Sequence, residues 1–220
     1  DGVMVVTDGG RHRARSLVLA AGFASTLTRQ LGLGTVSDYV TGVQAEVSTD
    51  GVRGVEVYLG HDVAPGFFSW LVPTSPGLAL AGLLARNQAQ AHLARFIQNQ
   101  QREGKITGVI RDAASWGIPL RPLRRTYRDR VLVVGDAAGQ VKPTTGGGIY
   151  YSLLASEIAS QALAEALAAD DLSAARLSRY QRRWKRLLSR ELEVGYSARR
   201  LFEFLSDQQI GSLFHQAANN

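Results

Sequence analysis

The stretch VLVVGDAAGQVKPTTGGGIYY, residues 131–151, decides the fold. Four apolar residues at 131–134 predict a short buried strand that ends in Gly135 and Asp136. In open α/β folds ligands bind at the carboxyl ends of such strands, so the Asp136 carboxylate is placed to accept hydrogen bonds from ligand hydroxyl groups. Glycines 146–148 precede a helical pattern, and free N–H groups at the start of a helix attract phosphate or another negative charge. The stretch therefore predicts an α/β fold with a ligand site at one edge of a sheet.

The remainder of the chain alternates between strand and helix patterns in an order typical of one domain inserted in another. A strand and a short helix come first, and turn signals then separate about four antiparallel strands over residues 38–84. One helix at 88–102, a strand at 106–120 and the strand at 131–134 follow. Helical patterns occupy the rest of the sequence from Ile149. We expect a mixed α/β fold with an inserted antiparallel sheet.

Composition excludes several classes of protein. The 220 residues are 45% hydrophobic and 20% charged, which is typical of a globular protein. Cysteine is absent, so disulfides, thiolate metal sites and a cysteine nucleophile are excluded. The longest apolar run, residues 78–85, is far shorter than the roughly 20 residues that cross a bilayer. The four histidines lack metal-ligand spacing, so we predict no metal site, and the common hydrolase and P-loop motifs are missing.

The stretch that follows residue 131 resembles the second flavin-binding motif of the geranylgeranyl reductase family. This family belongs to the FAD-dependent oxidoreductases related to para-hydroxybenzoate hydroxylase. The matching pattern is Gly-Asp followed by Pro-x-x-Gly-Gly-Gly-Ile. The resemblance implies that Asp136 holds the ribityl chain of FAD and that the glycine-led helix faces the pyrimidine side of the flavin.

Two further segments are similar to the same family. Residues 16–34 resemble the strand, turn and helix that pack beside FAD, although Ala21 stands where the family pattern usually has Asp. Residues 64–83 resemble the aromatic-x-Trp-x-x-Pro strand of the reductases' substrate domain, which implies that Phe68, Trp70 and Pro73 line the substrate pocket. The implied cofactor-binding residues are Ala20, Ala21, Gly22, Gly135, Asp136, Pro143, Gly146, Gly147, Gly148 and Ile149.

The resemblance also implies domains and an activity. An incomplete, Rossmann-like FAD-binding domain would comprise residues 1–36 and 105–168, an inserted antiparallel-sheet substrate domain 37–104, and a C-terminal helical region 169–220. Reduced flavin would deliver hydride to a C=C bond of a polyprenyl lipid or pigment precursor, with NADPH or another electron donor. Tyr150 and Tyr151 lie near the expected site, but neither is assigned as proton donor and the catalytic residues stay unknown. The implied location is cytoplasmic, with peripheral membrane contact left open.

The G-x-G-x-x-G segment that binds the ADP half of FAD does not occur in this sequence. We therefore expect the chain to be a carboxyl-terminal fragment that, alone, binds FAD weakly or not at all and is inactive.

Two other functions stay open at this point. An FAD-dependent aromatic monooxygenase or halogenase would share the fold. A non-catalytic module would instead use basic segments on a membrane or on nucleic acid, although we expect no nucleic acid partner. The basic segments are Arg121, Arg124, Arg125, Arg128 and Arg130, and the arginine-rich helix of 176–190.

Overall fold

The apolar run at 131–134 forms the central strand of a three-stranded sheet in the computed structural model, which describes residues 2–218. Strand β10 (Val131–Val133) pairs in parallel with β3 (Leu17–Leu19) and antiparallel with β9 (Tyr127–Arg128). All three β10 residues are buried, because the sheet is covered on both faces. This first unit also contains a hairpin of β1 (Val3–Thr7) and β2 (Gly10–Ala14), helix α1 (Leu27–Gln30), a 3-10 helix (Gly135–Ala138) and helix α3 (Ile149–Ala168).

Helix α4 (Ala174–Phe202) supplies most of the first unit's aromatic core. Its apolar stripe includes Leu177, Tyr180, Trp184 and Leu188, which are spaced three or four residues apart and fully or almost fully buried. Helix α3 meets this core with a stripe of alanines, which lets helix backbones approach closely. The first unit comprises residues 2–39 and 119–196.

The second unit, residues 40–118 and 197–218, contains a five-stranded sheet in the order β5-β6-β7-β4-β8. Its strands are β4 (Tyr39–Thr49), β5 (Glu56–Leu59), β6 (Phe68–Ser75), β7 (Leu78–Ala85) and β8 (Ile106–Pro119). Helix α2 (Ala89–Arg102) buries Leu93, Phe96 and Ile97 in the same core as the inward-facing strand residues. The end of α4 and helix α5 (Asp207–Ala218) complete the unit. The predicted mixed α/β class with an antiparallel sheet is confirmed.

The unit boundaries differ from the predicted domain ranges at two places. Strand β8 falls within the range predicted for the FAD-binding domain, but it hydrogen-bonds to β4 and lies in the second unit. The helical region predicted at 169–220 contributes to both units, since residues up to 196 belong to the first. Asp1, Asn219 and Asn220, which the predicted ranges include, lie outside the described residues.

Candidate functional site

Asp136 lies directly after β10, in a tight 3-10 turn that a buried hydrogen-bond network holds in place. Gly135 adopts a φ of +67°, a conformation that favours glycine. Its N–H donates to the side-chain oxygen of Gln140 at 2.9 Å, and the Gln140 amide donates to the Tyr180 hydroxyl at 2.9 Å. Tyr180 in turn donates to the Val133 carbonyl at 2.8 Å. Helix α4 thereby fixes the turn that presents the Asp136 carboxylate.

Gly139 ends the same turn at a close contact with the backbone of Arg121 and Pro122. Its N–H donates to the Asp136 carbonyl at 3.0 Å, and its φ is +72°. A Cβ at this position would lie 2.7 Å from the Pro122 Cα and would overlap the Arg121 carbonyl. Only glycine fits here, so the Gly-Asp-x-x-Gly pattern has a steric cause as well as a chemical one.

The Asp136 side chain borders a cavity of about 310 Å³ within the first unit. Residues of the segment after β3, among them Gly22, Thr26 and Arg29, line the rest of it. Burial raises the pKa of Asp136 above its ordinary value. Within residues 2–218 no hydrogen bond or ion pair offsets this cost, so the carboxylate has its acceptor capacity available for a ligand that carries hydroxyl groups.

The glycine triplet is folded into a closed loop that ends against Asp136. The Lys142 N–H donates to the Gly147 carbonyl at 3.0 Å, and the Gly146 N–H donates to the Lys142 carbonyl at 2.9 Å. A Cβ at Gly148 would lie 2.8 Å from the Asp136 Oδ1 atom. The loop and the carboxylate, twelve residues apart in sequence, therefore form one site.

Helix α3 begins at this loop without a side-chain cap, since Gly148 occupies the N-cap position. The nearby Thr145 hydroxyl accepts a hydrogen bond from the Gly147 N–H at 3.4 Å and does not cap the helix. The first turn therefore begins without a side-chain cap, and its residues border a cavity of about 560 Å³. This end of the helix favours a ligand group that carries negative charge.

The structure brings some of the other predicted cofactor residues to this site and leaves others at its edge. Gly22 lines the Asp136 cavity, and Ile149 lines the cavity beside the glycine loop. Ala20 and Ala21 are exposed and directly follow β3, the parallel neighbour of β10. Pro143 is buried and supports the loop against α4, where a Cβ at Gly195 would lie 3.7 Å from the proline ring.

The predicted substrate residues lie in the second unit, on two different faces of its sheet. The rings of Phe68 and Trp70 are 5.8 Å apart on one face. Pro73 is the cross-strand partner of the fully buried Ala79, so it points to the face covered by α2. Phe68 and Trp70 belong together, and Pro73 is separate from them.

Glu191 is a site residue that sequence reasoning missed. It accepts a hydrogen bond from the Tyr151 hydroxyl and lies 3.6 Å from the Lys142 ammonium group. Burial, and then this hydrogen bond, raise the pKa of Tyr151 to about 12. Tyr151 is 4% exposed and packs in the core, whereas Tyr150 is 66% exposed. Sequence reasoning also missed Gln140 and Tyr180. Their hydrogen bonds go to each other, forty residues apart, and to backbone atoms, which no sequence motif reveals.

The basic connection at 121–130 makes several structural contacts. Arg121 stacks on Tyr196 and Arg125 on Tyr127, at 4.5 and 4.9 Å from the ring centres. Arg128 donates to the Leu31 carbonyl and Arg130 to the Arg15 carbonyl. Among residues 2–218, no group of His, Cys, Asp or Glu side chains could hold a metal ion. In that same part of the chain, no helix is both long and apolar enough to cross a membrane.

Comparison with known proteins agrees with this geometry. Digeranylgeranylglycerophospholipid reductase 2 of Methanothermobacter thermautotrophicus is 33% identical in an alignment 220 residues long. The alignment covers 94% of this chain and 55% of that protein. The reductase of the same name from Methanopyrus kandleri is 32% identical and is covered to 58%. The chain thus spans a little more than half the length of these relatives, and the predicted resemblance to geranylgeranyl reductases is confirmed.

Solved structures show the same fold. A geranylgeranyl bacteriochlorophyll reductase-like protein from Thermoplasma acidophilum superposes with a TM-score of 0.84 at 24% identity, over 96% of this chain and 57% of that one. A probable FAD-dependent monooxygenase from Pseudomonas aeruginosa superposes with a TM-score of 0.68 at 19% identity, over 96% of this chain and 62% of that one. The sequence profile of the FAD binding domain matches residues 3–190. This match covers both the Asp136 turn and the glycine loop, and the chain belongs to the FAD binding domain family.

Proposed function

We propose that this protein acts as an FAD-dependent reductase of polyprenyl lipids of the geranylgeranyl type. The observation that carries the proposal is the junction of the Asp136 carboxylate with the glycine-led start of α3. The names of the relatives support the choice of reaction and substrate class.

The residues of the first unit fit FAD. Asp136 borders a cavity with an acceptor available for ribityl hydroxyl groups, and its half-buried carboxyl would be stabilised by such donors. Gly148 lets the flavin-side backbone lie close to that carboxylate, and the first-turn N–H groups of α3 would face the pyrimidine edge. Gly22 lines the same cavity without a side chain. When bound, FAD supplies two-electron chemistry, including hydride transfer to a C=C bond.

The protein's own contribution would be orientation and electrostatics. Tyr180 and Gln140 hold the turn that carries Asp136, while Glu191 joins α4 to the glycine loop. Phe68 and Trp70 would present an apolar surface to the polyprenyl chain. NADPH or another donor would supply the electrons. We assign no proton donor.

Peripheral contact with an anionic membrane forms part of the proposal, because a polyprenyl lipid resides in a membrane. Helix α4 supports it with an exposed row of arginines on one face, Arg179, Arg182, Arg186 and Arg190. Their spacing of three or four residues places them together, and each basic residue near an anionic surface contributes about 1 kcal/mol.

Because the chain spans a little more than half the length of its relatives, the test is a product assay with the FAD-loaded native protein at its full natural length. With dithionite as electron donor and geranylgeranyl lipid in anionic vesicles, we expect saturation of C=C bonds, read by mass spectrometry as added hydrogen. The protein should also float with these vesicles, and less so at high salt. Similarity to monooxygenases is limited to the fold. Oxygen-dependent hydroxylation without reduction would therefore contradict the proposal and favour that rival.

A further inference from the structure

Two tryptophan rings lie against glycines, on the face of the five-stranded sheet that α2 leaves uncovered. A Cβ at Gly82 would overlap the indole of Trp70, and a Cβ at Gly42 would lie 2.8 Å from the indole of Trp116. Both glycines are buried because the rings rest on them. Each indole ring occupies the space that a side chain at the glycine would take, and so covers this face of the sheet.

The strand register places these residues in neighbouring rows. Trp70 pairs with Val57 on one side and with Gly82 on the other, and Gly82 pairs with Gln44. Residues directly opposite one another across strands point to the same face. Gly42 precedes Gln44 by two residues on β4 and therefore shares that face. The Trp70 and Trp116 rings thus flank Gln44.

This surface, which we call the tryptophan track, is apolar and open. Trp116 is 42% exposed and Val57 is 57% exposed, both large values for such side chains. The side-chain oxygen of Gln44 accepts a hydrogen bond from the Trp70 indole N–H at 3.2 Å. The amide oxygen of Gln44, in the centre of the track, is thereby hydrogen-bonded within the protein.

The track ends at a cation. Glu46, the next residue of β4 on the same face, lies 3.6 Å from the Arg111 guanidinium group. The Arg111 side chain is 81% exposed, so this ion pair is loose and the guanidinium can bind an incoming anion. From Gly42 to Glu46 the strand rises about 13 Å, so the track is an elongated, mainly apolar surface with the Arg111–Glu46 ion pair at one end.

We propose that Trp116, seated on Gly42, is a specificity-determining residue for a polyprenyl phosphate group. The polyprenyl chain lies along the tryptophan track between the Trp70 and Trp116 rings, and Arg111 binds the phosphate of the headgroup. The inference rests on the proposed function and adds to it the residues that select the chain and the headgroup.

The test is calorimetric titration of the protein with geranylgeranyl phosphate, below the concentration at which this probe forms micelles. Gly42→Val pushes the Trp116 ring off its seat, and Trp116→Ala removes it. Each should weaken binding about tenfold, which corresponds to 1.4 kcal/mol. The matched control is Gly54→Val, because a Cβ at exposed Gly54 meets nothing within 4 Å. Arg111→Gln should weaken binding of geranylgeranyl phosphate and leave binding of geranylgeraniol unchanged.

The results distinguish failure of the proposed function from failure of the tryptophan track. If the unmodified protein binds neither probe, the proposed function is contradicted and the track falls with it. If it binds both, while Gly42→Val and Trp116→Ala bind as tightly as Gly54→Val, the track alone is overturned. Circular dichroism verifies folding of each variant, and Trp116→Ala decides the matter if Gly42→Val does not fold, since Trp116 is partly exposed.

Discussion

Gly139→Ala is expected to destabilise the first unit by about 3 kcal/mol, from left-handed backbone strain together with overpacking. The new methyl group would lie 2.7 Å from the Pro122 Cα and would collide with the Arg121 carbonyl, and neither of these backbone atoms can move like a flexible side chain. Because the Gly139 N–H bonds to the Asp136 carbonyl, relief of the clash also displaces the Asp136 turn. A single methyl group should therefore reduce both stability and flavin binding.

Urea unfolding measures this effect in a Trp70→Phe, Trp116→Phe background, where Trp184 is the remaining one of the three tryptophans. Trp184 is buried in the first unit, so its fluorescence reports that unit. The control is Gly147→Ala, whose Cβ would meet the Thr145 hydroxyl at 3.4 Å and whose backbone is not left-handed. Equal stability of the Gly139→Ala and Gly147→Ala variants would contradict the tight contact of Gly139 with the backbone of Arg121 and Pro122.

Glu203→Ala is expected to destabilise the second unit by about 3–5 kcal/mol, the cost of breaking a buried ion pair on one side. The Glu203 side chain is 11% exposed and contacts Arg86 at 2.7 Å and Arg199 at 2.6 Å. Arg199 itself is 3% exposed, so its charge loses a carboxylate partner away from water. Glu203→Gln keeps the side-chain volume but removes the charge, so it should lose most of the stability that Glu203→Ala loses.

The same carboxylate makes stability depend on pH. Burial raises the pKa of Glu203, but hydrogen bonds from Arg86 and Arg199 outweigh burial, and the pKa lies below its ordinary value. Its stabilising contribution is therefore complete above the ordinary glutamate pKa of about 4.3 and is lost as the pH falls through the lowered value. Thermal melts between pH 3 and 7 should show a decline at the acid end that Glu203→Gln flattens.

An exposed pair provides the control for Glu203. Arg15 and Asp170 are 2.6 Å apart, with side chains 57% and 89% exposed, so Arg15→Ala should cost less than about 1 kcal/mol. A loss for Glu203→Ala as small as that for Arg15→Ala would contradict the account of this cluster.

The sequence allowed local features of the site to be predicted, because they depend on neighbouring residues. A buried strand followed by Gly-Asp, and glycines before a helix, locate Asp136 and the loop of 146–148 without tertiary information. Gln140 and Tyr180 escaped because forty residues separate them, and their hydrogen bond exists only once α4 packs on the sheet. The contact between Glu191 and Tyr151 has the same origin.

Two features of the second unit differ from the sequence prediction: the face on which Pro73 lies and the sheet to which β8 belongs. Phe68 and Trp70 are two residues apart and share a face, whereas Pro73 has the opposite parity and points to the other face. That separation was available from alternation alone. The sheet to which β8 belongs could not be predicted in this way, because its pairing with β4 joins segments that three strands and a helix separate in the sequence.

In the proposed function, Asp136 and the glycine loop together bind the flavin. An NMR titration of the ¹⁵N-labelled chain with FMN at millimolar concentration tests it, because amide shifts detect binding too weak for other methods. We expect shifts at Gly22, at residues 135–139 and at 146–149, and we expect Asp136→Ala to abolish them. Shifts confined to the second unit, or identical shifts in Asp136→Ala, would contradict the claim.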